Sequence, residues 1–273
     1  MISFIKKYLL KKSHNTKDQT VQEETVDCSM QDAYLSGWFQ EETGELFKGF
    51  AIEPEHNIID VGCGDGGFIS FCAKRGAEVT IVDINQESLS RVEQRLKESN
   101  AKAVHAYVSN ANPLPLPNEI YDRVISTEVI EHVDNPQAFM SEIARIGKPG
   151  ALYLLSVPDS SSENIQKKVA PDIYFEKPNH IHIFSRDDFK SLVENAGLII
   201  EDRTYYGFYW SIFWAFFWTC DHDLFAPKHP LLKSWSQTWN LLMQMRDGEK
   251  IKRALDDAMP KSQVIIARKP LTK

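Results

Sequence analysis

The chain has 273 residues, a net charge of −7 and a pI near 5.7, with 38 acidic against 31 basic side chains. That length supports one large enzyme-sized core, and the acidic balance excludes the basic face with which nucleic-acid binders neutralise phosphates, so no DNA partner is expected. The four cysteines, Cys28, Cys63, Cys72 and Cys220, have neither disulfide nor zinc spacing, and nothing resembles a cleavable signal; both point to a reducing, cytoplasmic setting.

In chain order, residues 1–12 alternate apolar and basic character, with Ile2, Ile5 and Leu9 on one helical face and lysines beside it. Residues 13–27 are polar and unpatterned, so 1–30 reads as a basic amphipathic segment plus linker ahead of one domain over 31–273. Tyr34 to Phe50 reads as a helical lead-in carrying Trp38, Phe39, Leu46 and Phe47. From Asn57 strands and helices alternate: strands near 57–61, 78–83, 103–107, 122–126 and 151–157, helices near 66–75, 86–98 and 135–146. Ser185 to Asn195 starts with a serine cap and acids in its first turn, and stops before Gly197. Leu198–Thr204 and Gln263–Ala267 supply the sixth and seventh strands. The expected fold is α/β: a seven-stranded, mostly parallel sheet with one antiparallel strand, helices on both faces and an insert before the last strand.

Ile58-Ile59-Asp60-Val61-Gly62-Cys63-Gly64-Asp65-Gly66-Gly67 describes a strand, a tight glycine turn and a helix start. Bulky side chains at Gly62 or Gly64 would fill the space of a ligand passing close to the backbone. The spacing also fits a dinucleotide-binding loop, which leaves a nicotinamide-dependent oxidoreductase as the alternative. Asp60 argues against it: a carboxylate there repels a pyrophosphate but suits a ligand with an ammonium group, as in S-adenosylmethionine. Asp83 ends the next strand, where a carboxylate accepts from ribose hydroxyls, and Ile84 can pack on an adenine face.

With these residues the chain resembles the class I S-adenosylmethionine-dependent methyltransferases, which have a Rossmann-like fold. Asn110-Ala111 looks like the family's adenine-contact loop, although many relatives carry Asp where this chain has Asn110. Glu128-Val129-Ile130-Glu131-His132-Val133 follows the fourth strand, and Lys148-Pro149-Gly150 opens the fifth. The resemblance implies a cofactor set of Asp60, Gly62, Gly64, Asp83, Ile84, Asn110, Ala111 and Glu128. Glu128, Glu131 and His132 stand at i, i+3 and i+4, so on a helical turn they share one face. With Asn179-His180-Ile181-His182 downstream, they resemble the Glu-x-x-Glu-His motif and distal histidine of ubiquinone-pathway O-methyltransferases and small-RNA 2′-O-methyltransferases. That resemblance implies Glu128, Glu131, His132 and His180 as ligands of Mg²⁺, Mn²⁺ or Zn²⁺. Without a metal, His132 with Glu131 would orient or deprotonate the acceptor hydroxyl.

Residues 204–220 carry no charge, and Trp210, Trp214 and Trp218 recur every fourth position beside Phe213 and Phe217. Seventeen such residues sit at the short end of a bilayer span. The flanking strands should be sheet neighbours and no second apolar crossing follows, so the insert over 204–260 reads as a substrate cover or an interfacial element, with a core helix or dimer contact as the alternative. Trp210, Trp214 and His182 are the candidate substrate contacts. The expected activity is O-methylation of a small or lipid-carried hydroxyl, such as a quinol precursor or a lipid-linked sugar, with peripheral contact to the inner face of a membrane. A non-catalytic cofactor-binding, membrane-associated scaffold is disfavoured by the intact Glu128/Glu131/His132 set.

Overall fold

Alternating buried strands and amphipathic helices give the chain its frame, which the computed structural model describes for residues 28–220 and 229–271. The expected N-terminal amphipathic helix and its linker lie outside the described residues. The segment expected as a helical lead-in differs. A helix covers only Cys28–Leu35, and a three-stranded antiparallel meander follows, β1 (Trp38–Gln40), β2 (Glu45–Phe47) and β3 (Phe50–Ala51). Gly37, Gly44 and Gly49 all adopt positive φ, which turns the chain at each step instead of continuing a helix. The meander buries Trp38, Phe47 and Phe50 against one face of the large sheet.

That sheet runs through β4 (Asn57–Val61), β5 (Glu78–Asp83), β6 (Ala103–Val108), β7 (Tyr121–Thr127), β8 (Gly147–Pro158), β9 (Ile199–Tyr206) and β10 (Ser262–Arg268). Its spatial order is β6-β5-β4-β7-β8-β10-β9, all parallel except β10, which lies antiparallel between β8 and β9. Consecutive apolar residues divide between the two faces, as a strand period of two requires. Ile59, Leu155 and Ile265 meet the helices Pro136–Ile146 and Arg186–Asn195, whereas Ile58, Leu154 and Ile266 meet Gly67–Lys74 and the meander. The strand order reverses at β4/β7, and a crevice opens outside the carboxyl ends of strands at such a point.

The described residues of the insert between β9 and β10 form three helices, Phe208–Thr219, Pro230–Gln244 and Gly248–Ala258. Their anchor is a buried ammonium. Lys252 Nζ donates to Asp256 Oδ2 at 2.5 Å and to Ser36 Oγ at 2.8 Å, and lies 3.4 Å from Asp32 Oδ1. Trp239 Nε1 donates to the same Asp32 oxygen at 3.1 Å, and Phe208 N donates to Asp256 Oδ1 at 2.8 Å. Burial pushes the Asp32 carboxyl up to about 6 against the opposing pull of Lys252. The network ties the first helix to all three insert helices. Replacing Lys252 by Met should strip two buried carboxylates of their cation and lower unfolding stability by roughly 3–5 kcal/mol. Urea denaturation at pH 7 reads that loss.

Candidate active site

The glycine loop after β4 depends on backbone geometry that side chains oppose. Gly62 has φ +81°, and a Cβ there would stand 2.3 Å from Val129 Cγ2. Gly64 has φ +54° with nothing within 4 Å of such a Cβ, so its face is open to the crevice. Asp83 fixes this loop: its Oδ2 accepts from Gly64 N at 3.0 Å, and its Oδ1 accepts from Asn85 N at 2.8 Å. Each carboxylate oxygen retains a further lone pair for a ligand hydroxyl.

Beside the loop lies a cavity of about 820 Å³. Gly62, Gly64, Asp83, Ile84, Asn110, Ala111, Glu128 and His132 all line it. Ile84 is 64% exposed on its wall and presents an apolar surface there. Asn110 Oδ1 already accepts from Asn112 N at 3.1 Å, which shapes the loop and leaves one acceptor direction. Asp60 lies beneath the loop and is not among the lining residues. Burial, with Asp83 nearby, pushes its carboxyl up to about 8.

Among the described residues, Glu131 is a fully buried acid whose carboxylate oxygens both lack a hydrogen-bond partner. Burial, reinforced by the charge of Glu128, raises its carboxyl well above the usual range. His132 Nε2 faces it at 3.6 Å, while His132 Nδ1 meets the Pro178 carbonyl at 3.2 Å and must carry the proton. His180 repeats the arrangement: its Nδ1 donates to Glu163 Oε2 at 2.8 Å, and its ring stands 5.0 Å from that of His132, nearly perpendicular. Ligand atoms of Glu131, His132 and His180 lie within 4.8 Å of one another. Imidazoles with Nδ1–H held by oxygen acceptors are oriented as metal-ligating histidines are. A buried carboxylate without donors calls for a proton or a cation.

The expected helical face holding Glu128 together with Glu131 and His132 does not form. Only Ile130–His132 makes a 3-10 turn, and Glu128, at φ +55°, precedes it. Its Oε1 accepts from Ser156 Oγ at 3.2 Å and its Oε2 from Lys261 Nζ at 3.3 Å, outside the three-residue cluster. Burial opposes ionisation of Glu128, but the charges of Lys261 and His180 hold its carboxyl below the usual range. His182 goes elsewhere too, donating from Nε2 to the Val133 carbonyl at 2.9 Å. Trp210 and Trp214 are half-buried in the insert and do not line the cavity. The insert approaches the histidines through Trp218, 5.4 Å from Tyr174, whose ring is 4.5 Å from His180.

Glu163, Tyr174 and Lys261 escaped the sequence reading. Glu163 lies on a helix, Ser160–Val169, capped by Asp159, whose side chain accepts from Ser161 N; an aspartate at that place is a usable start signal. Lys261 has no local signal, since nothing near it in sequence identifies its partner.

Comparison with known proteins follows this geometry. The methyltransferase-domain family model matches residues 33–202. A ubiquinone biosynthesis O-methyltransferase of Dechloromonas aromatica is 35% identical over 100 residues, covering 36% of this chain and 43% of that protein. One from Aeromonas salmonicida is 24% identical over 171 residues, 60% of this chain and 69% of its own. Several other curated relatives are likewise spanned over about half their length or less, 41% and 53% in two cases. A solved structure of geranyl diphosphate methyltransferase in complex with SAM shares the fold, with TM-score 0.57 at 16% identity over 88% of this chain and 85% of that one.

Burial, followed by the charge of His180, lowers the His132 pKa from 6.5 to about 4. Between those values the unfolded imidazole binds a proton that the folded one refuses. The contribution of neutral His132 to stability is therefore complete above pH 6.5 and lost as pH falls towards 4. Urea titrations at pH 7 and pH 5 should show a larger loss for the wild type than for His132→Gln.

Proposed function

The chain belongs to the methyltransferase-domain family and is an S-adenosylmethionine-dependent methyltransferase; from that premise we propose that it methylates a hydroxyl on a small or lipid-carried acceptor, assisted by a divalent cation. The observation that carries this reading is Glu131, buried with two orphaned oxygens near the imidazoles of His132 and His180. The family match displaces the nicotinamide-dependent alternative.

S-adenosylmethionine, when bound, supplies a methyl group on a sulfonium, and a cation such as Mg²⁺, Mn²⁺ or Zn²⁺ held by Glu131, His132 and His180 would acidify an acceptor hydroxyl. The chain's own residues do the positioning. Asp83 offers its remaining lone pairs to the ribose diol, Ile84 its exposed face to the adenine, and Asn110-Ala111 the adjoining loop. Gly62 and Gly64 let the backbone approach, and Glu128 gives the cavity wall the carboxylate that a methionine ammonium needs. His132 is both a cavity residue and a neighbour of Glu131, so it joins the cofactor side to the acceptor side. Asp60, beneath the loop, supports it from below.

The acceptor is read from the insert. Helix Phe208–Thr219 is apolar on every side and connects to His180 through Trp218 and Tyr174, which supports an acceptor with an apolar part. Peripheral membrane contact through Trp210 and Trp214 belongs to the same reading; among the described residues no helix is long and apolar enough to cross a membrane. The relatives named for ubiquinone biosynthesis favour a phenolic hydroxyl.

Two measurements test the proposal. Asp83→Ala should weaken S-adenosylmethionine binding by about 10–100-fold in calorimetry, as loss of a charge-assisted hydrogen bond of roughly 1.5–3 kcal/mol implies. Methyl transfer from labelled cofactor to the lipid and quinol fractions of a cell extract should stop with Glu131→Gln and in excess chelator. Full transfer under chelation would leave His132 as a metal-free base.

A further inference from the structure

Lys261 is 6% exposed, an ammonium inside the protein at the point where the insert returns to the sheet. Its backbone is held on both sides, N–H to the Tyr206 carbonyl at 2.9 Å and carbonyl to Asp159 N at 3.0 Å. It leaves little room beside it, for a Cβ on Gly207 would stand 3.0 Å from Lys261 Cβ. Its Nζ reaches Glu128 Oε2 at 3.3 Å, and the charges of Glu163 and Glu131 also act on it. An ammonium with three acidic neighbours is a fixed internal cation, and it engages only one of them directly.

We propose that Lys261 partitions the two acids of the Glu128-x-x-Glu131 motif: it holds Glu128 on the cofactor wall and out of the cation cluster, which leaves Glu131, His132 and His180 as a three-ligand seat. Lys261 is a positioning residue in this scheme and acts through Glu128. The inference rests on the cation reading above but makes a separate claim, that Glu128 is excluded from the seat by a protein ammonium. A seat of three ligands keeps more positions open to an acceptor oxygen than a seat of four. The geometry supports the division: Glu128 lines the cavity and pairs with Lys261, whereas Glu131 does not line that cavity and its carboxylate has no donor.

The experiment uses the full chain and Mn²⁺ as the probe, with binding followed by the loss of free Mn²⁺ signal in electron paramagnetic resonance. Glu131→Gln should abolish binding, and Glu128→Gln should leave it within about twofold of wild type while weakening S-adenosylmethionine binding in calorimetry. Lys261→Met should bind Mn²⁺ at least 10-fold more tightly, on the order of 1.4 kcal/mol, because the freed Glu128 becomes a fourth ligand. Lys261→Met combined with Glu128→Gln should return to wild-type affinity. Circular dichroism and the melting temperature identify any variant that does not fold, and Glu128→Gln, an isosteric change, decides the matter if Lys261→Met is one. The partition is overturned if Glu128→Gln loses Mn²⁺ as fully as Glu131→Gln, or if folded Lys261→Met gains nothing. Wild type without Glu131-dependent Mn²⁺ binding overturns the cation reading; a Glu128-dependent gain in Lys261→Met would then still uphold the partition, and no gain would overturn both.

Discussion

Charge buried at the carboxyl edge of the sheet is the constraint around which the rest of the molecule is arranged. Glu131 and Glu163 are fully buried, Lys261 nearly so, and Glu128 lies against them. Desolvating such groups costs several kcal/mol each unless partners are supplied. The partners come from distant stretches of chain: the end of β7, the Ser160–Val169 helix, the extended segment at His180 and the residue before β10. The sheet order makes that convergence possible, because β7, β8 and β10 are consecutive neighbours. Inserting three helices between β9 and β10 does not loosen the site, since Lys261 closes the insert directly onto Glu128.

The sheet was legible in the sequence because its information is local. Ile58–Val61, Glu78–Asp83 and Leu152–Leu155 are short buried runs between glycine turns, and the observed strands cover them. Ser185 announced its helix through a capping box that the structure forms with Asp188. The meander at 38–51 was misread because aromatic spacing alone does not separate a helix from a hairpin whose turns are set by Gly37, Gly44 and Gly49.

Within the site, the division was between residues in one motif and residues brought together by topology. The glycine loop, Asp83, Ile84 and Asn110 all line one cavity, as a strand–turn–helix reading places them. The helical spacing of Glu128, Glu131 and His132 was a poorer guide, because the chain leaves β7 through a left-handed Glu128 and a short 3-10 turn. That backbone sends Glu128 and Glu131 to different partners. Lys261, 133 positions away from Glu128, decides which partner Glu128 meets, and no pattern in either segment encodes the meeting.

Two buried ion clusters in the same chain differ in a way that bears on function. Around Lys252 the ammonium meets Asp32, Asp256 and Ser36, and Trp239 and Phe208 supply donors to the two acids. That cluster is a structural joint, complete without any ligand. Around Glu131 the same protein leaves both carboxylate oxygens and Glu163 Oε1 without donors, although Tyr174, His132 and His180 stand close by. Most polar groups of a folded interior are hydrogen-bonded, so a carboxylate with both oxygens unpaired beside two oriented imidazoles is the feature that the proposed cation would complete. A chain able to complete one buried acid cluster with a lysine could have done so in the other; it pairs Lys261 directly with Glu128 and leaves Glu131 without a donor, next to a histidine that lines the cavity proposed for the methyl donor.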